Sequence, residues 1–99
     1  MKKKFRKSIG SDVPTLVFFY ATWCTPCKLM KPTVLQIQEE MDNALNSLEI
    51  DVEIKKGIVK RYNVKSVPTL ILFKNGKPLW RHSGVMPVAE IKTAINDRI

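Results

Sequence analysis

The sequence contains few of the side chains that build closed metal sites. Its 99 residues include two cysteines, Cys24 and Cys27, and a single histidine, His82. A structural zinc site takes about four such ligands, so one copy of the chain cannot complete it. A zinc ion shared by two copies is the less favoured arrangement. We therefore expect neither a metal nor an organic cofactor.

The sequence also lacks long apolar runs. No stretch approaches the roughly 18 apolar residues of a membrane-spanning helix. The basic start is not followed by the apolar segment of a secretory signal peptide. We therefore expect a cytoplasmic protein that does not bind membranes.

Acidic residues are missing from the first ten positions, although the net charge of the chain is +8. Five basic residues lie there, namely Lys2, Lys3, Lys4, Arg6 and Lys7. Much of the excess charge is therefore expected in a solvated N-terminal segment, residues 1–13, where Phe5 and Ile9 allow one short helical turn. No nucleic-acid-binding motif accompanies this segment, so we expect no nucleic-acid partner.

Residues 14–99 have the length and the patterning of one α/β domain. The apolar run 15–21 predicts a strand covered on both faces. A helix from Pro26 to about Asp42 follows. The later elements are a strand around 48–52, a short helix over 58–62, strands at 70–73 and 79–82 joined by an Asn75-Gly76 turn, and a final helix from Pro87. Strands separated by helices predict parallel pairing, and the hairpin adds one antiparallel strand.

The two cysteines form a C-x-x-C motif, Cys24-Thr25-Pro26-Cys27, between the first strand and its helix. In a βαβ context this motif indicates a redox-active dithiol. A purely structural disulfide is the alternative, but so short a loop removes little chain entropy. Cytosolic proteins also seldom keep structural disulfides.

The helix start assigns different roles to the two cysteines. Unpaired N–H groups at a helix N-terminus favour the thiolate form of Cys24, which we predict to be the nucleophile. Cys27 lies one turn into the helix, where it can resolve a mixed disulfide on Cys24. The predicted reaction is thiol–disulfide exchange on other proteins.

Several separate stretches resemble the thioredoxin family over residues 14–98. They are Tyr20 to Lys28 with Pro32, Tyr62-Asn63-Val64, Val67-Pro68-Thr69, Leu72 to Gly76, and Gly84. The resemblance implies a thioredoxin-like fold, with a mixed sheet of about four strands flanked by helices. It also implies a monomer that reduces disulfide-containing proteins and receives electrons from a reductase or thiol pool.

The resemblance further implies a shallow substrate groove beside the dithiol. Its members would be Trp23, Thr25, Pro26, Val67, Pro68 and Gly84. A cis peptide bond is implied before Pro68. The Val67 backbone is implied to pair with an incoming peptide as an added strand would.

The sequence departs from the family at four points. The usual first strand is expected to be absent, because few residues precede the first apolar run. Phe18 replaces a buried Asp, Ser47 replaces its Lys neighbour, and Thr-Pro replaces Gly-Pro between the cysteines. Losing the Asp removes the group thought to manage the proton of Cys27.

Three alternatives to a disulfide reductase follow from these residues. One is a redox-inert binding module that uses the groove and the basic segment. Another is a disulfide oxidant or isomerase. Glutaredoxin ranks lower, because only Gly84, and no Gly-Gly pair, follows the hairpin.

Overall fold

The structure is a computed structural model that describes residues 2–99. Its elements are α1 (Lys2–Ile9), β1 (Thr15–Tyr20), α2 (Thr25–Met41) with a 3₁₀ turn (Asp42–Ala44), β2 (Asn46–Asp51), α3 (Lys56–Arg61), β3 (Thr69–Lys74), β4 (Lys77–Ser83) and α4 (Val88–Asn96). The strands form one sheet in the order β2-β1-β3-β4. The mixed four-stranded α/β fold expected from the sequence is confirmed. None of the helices within residues 2–99 has the length and apolar character needed to cross a membrane.

The direction of β3 corrects the sequence analysis. β1 and β2 are parallel, as predicted for strands joined by a helix, but β3 runs antiparallel to β1. A parallel crossover must carry the chain back along a strand of about 20 Å. The six residues of α3 rise only about 9 Å. Asp51 at the end of β2 is in register with Tyr20, and Thr69 at the start of β3 with Phe19, so the chain re-enters the sheet at the end it had left.

The sheet buries both of its faces, which explains the unbroken apolar run in β1. Leu16 and Phe18 contribute to one buried cluster, and Val17 and Phe19 to the other. The first cluster includes residues of α2 and α4, namely Met30, Val34, Ile37, Ile91 and Ile95. The second includes residues of α1 and α3, namely Phe5, Ile9 and Ile58. We call these the α2/α4 face and the α1/α3 face.

The basic N-terminal segment was expected to be solvated, with at most one short helical turn at Phe5 and Ile9; its charges are exposed, but its apolar residues pack against the sheet. It forms the helix α1, and Phe5 and Ile9 are each only 5% exposed. The Phe5 ring lies 5.9 Å from the rings of Tyr62 and Phe73. Two apolar residues four apart give α1 one stripe to bury, and that stripe attaches it to the sheet.

Candidate active site

Cys24 is placed at the start of α2 by a tight turn after β1. Its backbone N–H donates a hydrogen bond to the carbonyl of Ala21 at 3.2 Å. Its own backbone is extended, and it is the N-cap of α2. Pro26 lies in the first helical turn, where its missing N–H costs no hydrogen bond. The local sequence therefore ends a strand and starts a helix at the first cysteine.

The cysteine pair is a disulfide in this structure, with 5.3 Å between the Cα atoms of Cys24 and Cys27. The Cys27 N–H donates a hydrogen bond of 3.2 Å to the Cys24 Sγ. An N–H donor at a helix start stabilises negative charge on the sulfur that accepts it. Each cysteine is only 3% exposed, so exposure does not distinguish them. The hydrogen bond from the Cys27 N–H does distinguish the two cysteines, because it favours the thiolate form of Cys24.

The residues predicted to line the substrate groove come from two segments that are distant in sequence. Trp23 is 66% exposed, and Thr25 and Pro26 are also exposed. Val67 packs against the buried cluster that contains both cysteines. The Val67–Pro68 peptide bond is cis, as the family resemblance implied. Thr69 at the start of β3 pairs with Phe19 near the end of β1, so the loop before β3 and the turn that leads into α2 lie at the same end of the sheet.

Val67 has free backbone hydrogen-bonding groups. Within residues 2–99, neither its N–H nor its C=O has a hydrogen-bond partner in the protein. The neighbouring Pro68 carbonyl is occupied, because it accepts a 2.9 Å hydrogen bond from the N–H of Gly84. Gly84 has a φ of +101°, a conformation that favours glycine. An extended peptide beside Val67 would find an unpaired donor and acceptor.

Thr69 holds this loop in place and was missed by the sequence analysis as a site residue. Its side chain is fully buried, and its Oγ1 donates to the Ser66 carbonyl at 2.8 Å. Ser83 Oγ lies 3.0 Å from Thr69 Oγ1. Because a hydroxyl has one hydrogen, Ser83 is the donor in this second bond. The available signal was a polar residue opening an otherwise apolar strand.

Phe18 fills the position of the family's buried Asp as a core residue. It is 1% exposed and belongs to the cluster that contains the two cysteines. Carboxylates lie instead on the neighbouring edge strand, where Glu49 is in register with Phe18 and Asp51 with Tyr20. Burial raises the pKa of Tyr20, and the charges of Asp51 and then Glu49 raise it further. The Tyr20 phenol is therefore neutral near pH 7.

Other polar residues near the sheet do not form a second reactive group. His82 stacks against Trp80, with 6.2 Å between ring centroids. Ser47 is partly buried on β2, in register with Leu16. Within residues 2–99 no cluster of His, Cys, Asp or Glu could hold a metal ion.

Comparison with known proteins assigns this site to a family. The sequence model of the family Thioredoxin matches residues 1–97. Thioredoxin Y, chloroplastic, from Oryza sativa subsp. japonica is 41% identical over 82% of this chain and 48% of its own length. A thioredoxin-like protein from Synechocystis sp. is 40% identical over 83% of this chain and 78% of its own length. The chain thus spans about half the length of the rice relative.

A solved structure supports the same assignment. A mutant thioredoxin from Halobacterium salinarum superimposes with a TM-score of 0.88 at 27% identity, covering 97% of this chain and 83% of that one. The chain belongs to the thioredoxin family. A bifunctional thioredoxin reductase/thioredoxin from Mycobacterium leprae is 36% identical over 94% of this chain and 20% of its own length.

Proposed function

We propose that the protein is a thiol–disulfide oxidoreductase that reduces disulfide bonds in other proteins through Cys24 and Cys27. The observation that carries this proposal is the hydrogen bond from the Cys27 N–H to the Cys24 Sγ, at the N-terminus of α2. It gives the two sulfurs different chemistry within one C-x-x-C pair.

The first step begins from the dithiol. The Cys24 thiolate attacks one sulfur of the substrate disulfide, and a mixed disulfide forms. The other substrate sulfur leaves as a thiolate and takes up a proton. Only the edge of Cys24 is accessible, so the substrate disulfide must approach across the surface beside Trp23.

The second step regenerates the disulfide seen in the structure. Cys27 loses its proton and attacks the Cys24 Sγ, which releases the second substrate sulfur as a thiol. Two electrons have then passed from the dithiol to the substrate. With 5.3 Å between the Cα atoms, the resolving step occurs within one chain and needs no second copy. We therefore propose a monomer.

The substrate would bind as an extended strand beside Val67. The unpaired N–H and C=O of this residue would bond the peptide backbone, which explains how one site accepts different sequences. Trp23, Thr25, Pro26, Pro68 and Gly84 are the proposed walls of this groove. A reductase, or a thiol pool, would then return the disulfide to the dithiol. A reducing cytoplasm is the proposed compartment, because it keeps such a pair reduced.

Replacing the resolving cysteine tests the mechanism. Cys27→Ser is expected to accumulate mixed disulfides through Cys24, because the second step is blocked. Non-reducing gels would show these adducts, and dithiothreitol should remove them. The Cys24→Ser control should form none. Failure of Cys27→Ser to form any adduct with a model disulfide protein would favour the redox-inert binding module.

The reduction potential distinguishes a reductase from an oxidant. Equilibration with glutathione, followed by alkylation of free thiols, measures it. A value near about −270 mV agrees with a disulfide reductase. A value of about −180 to −120 mV would instead indicate an oxidant or isomerase.

A further inference from the structure

The α1/α3 face carries a cationic groove that the disulfide chemistry does not use. It has a volume of about 760 Å³ and lies between α1 and α3. Its apolar lining includes Phe5, Ile9, Ile58 and Tyr62, and its charged lining is Arg6, Lys60 and Arg61. We propose that this groove binds an acidic amphipathic segment of a partner protein.

The charges around the groove are of one sign. Neither α1 nor α3 contains an acidic residue. Among residues 3–9 and 56–61, seven basic residues are exposed, namely Lys3, Lys4, Arg6, Lys7, Lys56, Lys60 and Arg61. Arg6 of α1 and Lys60 and Arg61 of α3 are more than 40 positions apart in the sequence, and the fold brings these three into the lining of one groove. A surface of this kind attracts a segment of opposite charge.

Helix stabilisation does not account for these positions. A cation in the last turn of a helix interacts favourably with the helix dipole, which suits Arg6, Lys7, Lys60 and Arg61. The same dipole disfavours cations in the first turn, where Lys3, Lys4 and Lys56 lie. Lys3, Lys4 and Lys56 therefore do not stabilise their helices. They are not part of the groove lining, but they add positive charge to the two helices that form it.

The mixed lining of the groove specifies the kind of partner. Arg61 lies over the Tyr62 ring, with 5.7 Å from its guanidinium carbon to the ring centroid. Apolar side chains of a partner would contact the partly buried Tyr62 and the small exposed edges of Phe5, Ile9 and Ile58, each 5% exposed. Its carboxylates would pair with the basic side chains of the lining. An amphipathic helix is the form in which a peptide presents both kinds of side chain to a groove. A nucleic acid would leave the apolar floor unused.

The groove and the dithiol are separate sites. Gly76 lines the groove and lies in the hairpin turn, whereas Pro68 precedes the opposite end of β3. The cysteines belong to the buried cluster on the other face of the sheet. A partner in the groove would therefore leave the disulfide accessible.

Two matched triple variants test the proposal. R6Q/K60Q/R61Q removes the groove charges, and K31Q/K92Q/R98Q removes three charges from the α2/α4 face. Both therefore have the same net charge. Lys31 and Lys92 form exposed ion pairs with Glu49 and Glu40, and such pairs contribute little to stability. Circular dichroism would establish that both variants are folded.

The probe is a fluorescein-labelled amphipathic peptide with Leu on one helical face and Glu on the other. Binding is followed by fluorescence anisotropy at low and at physiological salt. The groove variant should lose affinity by about tenfold or more, and the control variant by about twofold or less. An all-Glu peptide of equal charge should bind the wild type more weakly, because it cannot use the apolar floor.

Four results would overturn the proposal. The peptide could fail to bind the wild type even at low salt. Both triple variants could lose affinity equally, which would show attraction by net charge alone. The all-Glu peptide could bind as tightly as the amphipathic one. Oligothymidylate of equal charge could bind more tightly than the peptide and depend on the groove charges, which would identify a nucleic-acid site.

Discussion

The two faces of the sheet use charged residues in different ways. On the α2/α4 face, Lys31 and Lys92 are paired with acids, in Lys31–Glu49 and Lys92–Glu40. The helices of the α1/α3 face supply cations without acids. Both faces bury apolar residues of the same strands, so hydrophobic burial alone does not cause this difference. One small sheet can therefore carry the disulfide chemistry on one face and the proposed partner-binding groove on the other.

The largest expected effect is on the free energy of unfolding, and it should differ between the helices of the two faces. Ile37 of α2 is fully buried, and Ile37→Ala should lower the free energy of unfolding by about 2–5 kcal/mol. Ile9 is also buried but lies at the end of the short helix α1. Ile9→Ala should act mainly by local detachment of α1, because an eight-residue helix can open while the sheet remains folded.

Hydrogen exchange with urea unfolding separates these two responses. Ile37→Ala should accelerate exchange in all strands, and Ile9→Ala should accelerate it chiefly in α1. Uniform acceleration in Ile9→Ala would show that both faces unfold as one unit. In that case the two faces would differ in their charged residues but not in their local stability.

An intermediate effect is expected at Thr69, which belongs to the substrate side. Thr69→Val keeps the shape of the side chain but removes its bonds to Ser66 and Ser83. Thr69 is buried, but Ser66 and Ser83 are exposed and can bond to water instead, so the lost hydrogen bonds should cost about 0.5–1.5 kcal/mol. Because the loop at Val67 and Pro68 is then less fixed, reduction of a protein disulfide should slow several-fold.

A control reports whether Thr69 acts through the substrate groove. Thr69→Ser retains the hydroxyl and should recover most of the reduction rate. Reduction of a small disulfide without a peptide backbone should be nearly unaffected in both variants. If Thr69→Val slows the small and the protein substrate equally, the loop does not position peptides.

The sequence predicted the dithiol side of the molecule better than the other side. The C-x-x-C motif, the strand before it and the helix after it are adjacent in sequence, so local patterns located them. The two faces of β1 were not separable, since Leu16, Val17, Phe18 and Phe19 are all apolar. Alternation reports burial only when one face is polar.

Long-range arrangement accounts for what was not predicted. The short helix before β3 was predicted at close to its observed length. The direction of β3 depends instead on the path of the loops on either side of α3, which local sequence patterns do not report. The cationic groove depends on the packing of α1 and α3, which places Arg6 and Lys60 in the lining of the same groove. The role of Thr69 depends on Ser83, which approaches it only through the β3–β4 pairing.

The smallest expected effect tests the paired charges of the α2/α4 face. A hydrogen bond from Lys92 lowers the pKa of Glu40, and a second one from Gln36 lowers it further. A carboxyl with a lowered pKa in the folded state contributes stability above its ordinary pKa, and that stability is lost as the pH falls through the lowered value. Glu40→Gln should therefore melt at a slightly lower temperature than wild type near pH 7, and the gap should close in acid.

Glu39→Gln is the matched control, because it removes an equal charge from the adjacent exposed residue. Its melting temperature should follow that of the wild type at each pH. High salt should narrow the Glu40→Gln gap, since the pair with Lys92 is exposed. A gap that persists unchanged in acid would mean that Glu40 acts through packing and not through charge. The paired charges would then not be what distinguishes the α2/α4 face from the α1/α3 face. On the α1/α3 face, removal of charge is expected to change binding and not stability.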